Sequence, residues 1–477
     1  MKEVGKSGAQ INQPLENKNQ ITTPTKIMKK ITYTHLACAL AGGLCAIAQS
    51  ATAAPQETAR PAQILHEYTL PPFSLEYFGY TAEELAIAQG HGAVTDRPAI
   101  GSGLQRLNGN HYISVTDRGP TYDRSTPTGS KAFPLPQFNP MIVLSQMIGD
   151  QIVPRDYLPL LNDLNQPVTG LPNGPLDDAP GYLTVTAPVG QAFPPNENGL
   201  DIEDVHTLPG GGFILVEEYG PSVVIVSSTG HVLKRYTPGG KTWPNANYSV
   251  SDILPPVLKQ RRANRGLESI AVSPDGRTAY TVMQSPLGVT TVGSLTRESR
   301  LIRILRLDIS DPLNMQVTGQ FVYFLQPVAD YPFGNFARDL KISAAAWVSE
   351  DRLLILERTD KVGAGGINQG GAKLILLDLT GATDVKDPAE FPAAAAVPVE
   401  LEKVTTVLAT LGITPASARV VLDVNQELPS ITDFKLEGLT ILNDNQVSIS
   451  NDNDFGIGDS PGRATKVYTI RLSQPLR

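Results

Sequence analysis

The sequence predicts an all-β fold, a β-propeller of six blades within a range of five to seven, with long loops between blades. Three observations carry this. A strand–turn–strand phrase recurs along the chain, Gly and Pro are frequent (42 and 39 of 477 residues), and long amphipathic helical patterns are scarce. Turn-rich β proteins need such breakers, whereas helical proteins tolerate them poorly.

The recurrence is visible without gaps. "SGLQRLNGNHYISVTD" (102–117) falls on "EGLTILNDNQVSISND" (437–452), with Gly, Leu, Asn and Asp in matching places. Ile202-Glu203 and Leu267-Glu268 align with Leu436-Glu437 at the start of two further copies. A weaker copy, "SAAAWVSEDRLLILER", has Ser343 where the others have Glu. Each copy opens with a short alternating strand and turns on hairpin residues such as Pro209-Gly210-Gly211 or Asn443-Asp444-Asn445. A second apolar strand then ends in polar residues: Asp117-Arg118, Glu217-Glu218, Gln284, Glu357-Arg358 and Asn451-Asp452. The copies lie farther apart than a standard blade of about 40–50 residues, so inserts must separate them. Stretches 123–140 and 153–181 read as such loops, and a degenerate sixth copy is expected within 137–186 or 384–423. "ILHEYTLP" is expected to complete the last blade beside "KVYTIRL", which removes an exposed edge.

Ahead of the propeller, residues 1–27 are polar and read as an extension before a natural start at Met28. From Met28, two lysines, a short apolar run and Ala51-Thr52-Ala53 form a secretory signal peptide over 28–53. The run is shorter than the roughly 18–20 residues that span a bilayer, so no stable membrane anchor is expected. Neither Cys38 nor Cys45 sits in a good lipid-attachment box. Residues 54–477 are expected to form one domain, placed in the periplasm or outside a bacterial cell. Both cysteines lie in the signal segment, which leaves the exported chain without disulfides, thiolate metal sites or a cysteine nucleophile. The formal charge is −8, and residues 1–53 hold six Lys against two Glu, so the exported chain stands near −12. That balance argues against a nucleic-acid partner.

In a propeller the start of each inner strand and the end of the next strand share one rim. Glu203, Glu268, Glu437, Asp117 and Asp452 are therefore expected to converge as ligands of a hard cation, Ca2+. Glu217 and Glu357 are candidate bases, with Arg118 and Arg358 beside the reacting group; Arg265 and Arg300 are candidate substrate contacts. The bland alternative is that these acids cap turns or pair with arginines between blades. Zinc spacing, a GxSxG elbow, a phosphate loop and a dinucleotide fingerprint are all missing from the sequence.

The pieces "NRGLESIAVSPDGRTAYTVMQSPL", "TRESRLIRILRLDI", "AAWVSEDRLLILERTD", "KLEGLTILNDNQVSISNDNDFG" and "SGLQRLNGNHYISVTDRGP" resemble the secreted bacterial phytase-like family, described as having esterase-like activity of phytase. The resemblance runs from about Ile100 to Leu472. It implies a propeller, export, and hydrolysis of phosphomonoesters or other esters. The expected function is thus a secreted metal-dependent hydrolase of a small-molecule phosphoester or carboxylic ester. A non-catalytic propeller that binds a ligand or protein, and a calcium-dependent lactonase, stand as the alternatives.

Overall fold

A computed structural model describes residues 60–124, 130–174, 183–186, 191–192, 196–332, 336–359, 371–433, 435–458 and 461–477. The expected extension (1–27) and signal peptide (28–53) lie outside the described residues.

Alternating apolar residues bounded by Gly, Asn and Asp turns fold as antiparallel sheets. The chain begins with β1 (Gln63–Thr69) and a short helix, α1 (Ala82–Gly90). Thr81 and Glu84 close a reciprocal capping box at the start of α1. The first sheet then uses β2 (Leu104–Asn108) and β3 (His111–Val115). Between them and their partners, β4 (Tyr122–Arg124) and β5 (Ser130–Ala132) branch off into a small sheet. The chain returns through β6 (Met141–Ile148) and β7 (Gln151–Pro159), and β8 (Leu183–Thr186) and β9 (Gln191–Ala192) complete the small sheet.

The second sheet is β10 (Ile202–Thr207), β11 (Phe213–Glu217), β12 (Ser222–Val226), β13 (Val232–Pro238) and β14 (Ser249–Leu254). The third is β15 (Leu267–Val272), β16 (Thr278–Met283), β17 (Leu301–Asp308) and β18 (Gln316–Phe324). The fourth is β19 (Leu340–Ser349), β20 (Arg352–Thr359), β21 (Ala372–Asp378) and β22 (Ser417–Asp423). The last is β23 (Leu436–Asn443), β24 (Gln446–Asn451) and β25 (Lys466–Arg471), with β1 as its outer strand.

The innermost strands β2, β10, β15, β19 and β23 neighbour one another in turn, and β23 returns to β2. This radial order is that of a β-propeller. Among the described residues five blades follow one another. Within the stretches expected to hold a sixth copy, the described residues form β6 and β7 of the first blade, β8 of the small sheet and β22 of the fourth blade.

Each gap between neighbouring blades holds its own apolar core. Ile113 and Val115 meet Val205 and Leu215 in the first gap. Ile214 and Val216 meet Ile270 and Val272 in the second, and Val282 and Ile304 meet Ile342 and Ile355 in the third. Leu354 and Leu374 meet Leu439 and Val447 in the fourth, and Val467 meets Leu104 and Tyr112 at the closure. Fully burying each such side chain is worth about 1.5–3 kcal/mol.

The closure is sequence-distant. β1 pairs antiparallel with β25 from Gln63↔Arg471 to Thr69↔Lys466, as the sequence led us to expect. Its far end touches the first blade through the single pair Thr69↔Gln151. Removing β1 strips β25 of its outer ladder and opens an edge. The variant truncated past Thr69 should melt several degrees lower and aggregate more readily; an unchanged melting temperature would contradict this closure.

Candidate functional site

One irregularity recurs at the start of the inner strands. The pairing register slips between Ile202 and Asp204, Leu267 and Ser269, Ile342 and Ala344, and Leu436 and Gly438. The residue inside each slip is Glu203, Glu268, Ser343 or Glu437. Such a bulge leaves one residue out of the ladder and re-aims its side chain. It answers why a strand carries an acid at this point: the acid is the bulged residue.

A second set of side chains is placed by the same hairpins. The residue just past the second strand donates its N–H back to the residue just before the inner strand. Glu218 thus bonds Asp201 (3.0 Å), Gln284 bonds Gly266 (2.9 Å), and Asp452 bonds Lys435 (2.9 Å). These pairs tie the two strand ends into one rim. The close approach of blades there requires glycine: a Cβ on Gly266 would lie 2.2 Å from the Glu218 carbonyl oxygen.

The acids so assembled are Asp117, Asp201, Glu203, Glu218, Glu268, Glu437 and Asp452, all buried. Glu203 is raised well above the usual carboxylate range by burial and by the charges of Glu268, Asp201, Glu218 and Glu437. Burial, then Glu218 and Glu437, raise Glu268 likewise. Burial is also the main cause for Asp201, opposed by Arg118. Asp117 and Asp452 are pushed up by burial and, for Asp117, by Asp452 itself.

The compensation is incomplete. Arg118 binds Asp201 through Nη1 and backbone N–H (3.1 Å to Oδ1 for the latter) and also bonds Asn264. Arg358 donates to Glu437 (2.5 Å), and Lys435 donates to Asp452 and Asp454 (2.6 Å each). Gln284 bridges Glu218 (2.8 Å) and Glu268 (2.5 Å) with one amide nitrogen. Glu203 accepts no hydrogen bond and joins no ion pair among the described residues. One oxygen each of Asp201, Glu203 and Glu218 lies within 4.8 Å of the others, a spacing and an all-oxygen donor set that fit a hard divalent cation.

Backbone strain gathers at the same rim. Asn264, Lys435, Asp454 and Phe455 hold positive φ (51°, 55°, 47° and 53°) without being glycine. Such outliers persist only where the surroundings impose them, and they cluster at functional sites.

The structure therefore brings together Glu203, Glu268, Glu437, Asp117, Asp452, Arg118 and Arg358. Glu217 and Glu357 sit one residue earlier in their strands and bond elsewhere. Glu217 accepts from Tyr219 N–H (3.0 Å), Gly220 N–H (3.2 Å), Ser222 and Arg235 (2.5 Å). Glu357 accepts from Tyr323 (2.9 Å), Tyr331 (2.7 Å) and Gln326 N–H (2.8 Å), and burial pushes it up to about 7. Arg300 donates to the Leu325 carbonyl (2.7 Å), and Arg265 donates to Ser285 (3.1 Å) and the Arg338 carbonyl (2.7 Å).

Asp201 and Glu218 were not singled out from sequence. A signal for Glu218 exists: Ser102 to Asp117, Glu203 to Glu218, Ser343 to Arg358 and Glu437 to Asp452 share one spacing. Applied strictly, that spacing selects Glu218 over Glu217.

A family model described as Phytase-like, esterase-like activity of phytase, matches residues 98–455. A curated relative from the fungus Arthroderma benhamiae, named an uncharacterized secreted protein, is 30% identical over 199 residues. The match spans 37% of this chain and only 38% of that relative. Among solved structures, an aldose sugar dehydrogenase from Streptomyces coelicolor aligns at 10% identity and TM-score 0.31, covering 80% of this chain and 96% of its own. A family 43 arabinoxylan arabinofuranohydrolase from Bacillus subtilis aligns at 10% identity and TM-score 0.37, covering 80% and 65%.

Two measurements check this geometry. Glu217→Gln breaks a buried pair with Arg235 and should cost about 3–5 kcal/mol in denaturant unfolding. Glu203→Gln should leave chelator-treated stability unchanged or raised, because no partner is lost; the reverse order would contradict the assignment. The second is a pH series. The raised acids keep their protons in the fold at pH values where the unfolded chain, with carboxylates near about 4, has lost them. Their contribution is full at low pH and is lost as pH rises through the folded values, which reach about 7 for Asp117 and Asp452. In chelator, the melting temperature should therefore fall between about pH 5 and pH 7; a rise over that window would refute the crowding.

Proposed function

The chain belongs to the phytase-like family, and from that premise we propose that it is a secreted hydrolase of phosphoesters or carboxylic esters that works with a bound divalent cation, Ca2+. The observation that carries the reading is the Asp201–Glu203–Glu218 group, in which Glu203 accepts no hydrogen bond among the described residues. Hard oxygen donors in number suit calcium, and no histidine belongs to the group. Glu268, Glu437, Asp117 and Asp452 border it.

When bound, the cation supplies charge neutralisation and polarisation of an ester or phosphoryl oxygen. The chain's own groups do the rest. Asp201 and Glu218 hold their carboxylates in place through Arg118 and Gln284. We assign the proton-accepting role to the Asp117–Asp452 pair. Both are raised from the usual carboxylate range, and a base is most useful with a pKa near the working pH. Glu217 and Glu357 are engaged by several donors each, so we assign them to holding the strand ends. Arg118 and Arg358 stand at the rim, where a guanidinium orients an anionic ester.

Export is part of the proposal. It rests on the 28–53 pattern and on the relative named as secreted. Among the described residues, no helix is long and apolar enough to cross a membrane.

The test uses protein stripped with chelator and a panel of phosphomonoesters, carboxylic esters and lactones, with and without calcium. Calcium should restore turnover, and Glu203→Gln should lower kcat/KM at least about tenfold with the fold intact. Calcium that stabilises the protein without turnover of any ester would replace the hydrolase by a binding propeller. Preference for lactones would move the reaction class to ring opening.

A further inference from the structure

The sequence Val-Thr-Thr-Val occurs at 289–292 and again at 404–407, and all four valines are exposed. The first copy sits in the loop that leaves the rim after Gln284. Gly288 and Gly293, at φ 89° and 87°, fold that loop back on itself. Thr296 Oγ1 donates to the Val289 carbonyl (2.9 Å), Ser294 N–H to the Thr291 carbonyl (3.1 Å) and Arg297 Nε to the Thr290 carbonyl (3.1 Å), so the loop is braced from within. The second copy sits in the insert between β21 and β22. Leu401, Leu408 and Ile413 of this insert are buried against Leu301 and Val322 of the third blade. Arg303 holds its Glu402 through two bonds (2.6 and 3.1 Å). The Val404 N–H donates to the Leu295 carbonyl (2.9 Å), which joins the two copies.

The insert already buries its own small core, and these valines are left over. Val292 is 88% exposed, Val289 and Val407 59% each, and Val404 57%, with Leu295 exposed beside them. Single exposed aliphatic residues are ordinary, but a group of them on two hydrogen-bonded loops marks an interaction surface. Neither 285–297 nor 403–413 contains Asp or Glu, although the exported chain stands near −12. The charges stand at the edge, in both signs and partly exposed: Lys403 with Glu400 (2.7 Å) and Arg297 with Glu298 (3.7 Å). An apolar centre inside a polar rim is the anatomy of a protein–protein interface.

Three features select the occupant. A side chain as far out as Val292 is a tip and not a cleft wall, so a small ester cannot cover it. An anionic lipid surface favours cations alone and aromatic anchors; this rim carries Glu298 and Glu400 as well, and neither stretch contains Phe, Tyr or Trp. Both signs on one rim let a surface complement itself across a two-fold axis, where a cation of one copy meets an acid of the other. We propose that this surface joins two copies of the chain in an isologous dimer, with the valines of 289–292 and 404–407 at its centre. A standard interface covers about 800 Å² on each partner, so the charged rim belongs to it. The proposal stands apart from the hydrolase reading and needs no turnover.

The test is sedimentation velocity of the full chain from low to high micromolar concentration. The mass should rise toward that of two chains. Val292→Asp and Val404→Asp should each raise the dimer dissociation constant at least about tenfold. Both side chains are exposed, so the melting temperature of the dilute variants should match the parent; should aspartate disturb the fold, Val292→Ser and Val404→Ser serve for the same comparison. Lys403→Glu, which leaves the rim with an excess of one sign, should weaken the dimer as well. A parent that stays monomeric at every concentration would overturn the proposal, and so would a dimer undiminished in both valine variants. The same proteins are spun with phosphatidylglycerol vesicles. A monomeric parent that binds them, with binding lost in Val292→Asp, would assign the surface to lipid and overturn the dimer.

Discussion

The site depends on one backbone device, a bulge at the start of the inner strands. An unbroken ladder would alternate side chains between the two faces of each blade, and an acid there would be driven into an apolar gap. The extra residue frees Glu203, Glu268 and Glu437 from that alternation. The same slip brings the strand ends together, so that Glu218, Gln284 and Asp452 lock back onto the residues that precede the inner strands. The consequence is electrostatic. Seven buried carboxylates stand against Arg118, Arg358, Lys435 and Lys341. Protonation, ion pairing and a bound cation are the ways to offset such crowding.

The repeat was legible because blades impose the same grammar on distant segments. It exposed the bulge acids, Asp117, Asp452 and the closing strand β1 from the residues alone. The bulge itself was not legible, since one extra residue in a short strand leaves no compositional trace. Glu217 and Glu218 both close the same apolar strand, and only the strict repeat spacing separates them. Alternation puts Glu217 on the face where Arg235 and the Tyr219 turn wait, and Glu218 on the rim. Asp201 precedes its strand, outside any period, and only the fold shows that it meets Arg118.

The turn 262–265 lies between the acidic rim and a group of arginines. Glycine and strained φ at this rim serve the same end. Gly266 lets a neighbouring blade approach the Glu218 carbonyl, and Asn264 turns sharply enough to bond Arg118 while Arg262 and Arg265 face the other way. The proposed ester chemistry rests on family membership, and the proposed cation rests on the spacing of Asp201, Glu203 and Glu218. Neither depends on the distant fold neighbours.

The most direct measurement is anomalous diffraction from crystals soaked in manganese or a lanthanide as a calcium substitute. One strong peak is expected within about 2.6 Å of oxygens from Asp201, Glu203 and Glu218, lost in crystals of Glu203→Gln. A peak elsewhere, or none, with these carboxylates bonded only to water and to one another, would contradict a cation held by this group.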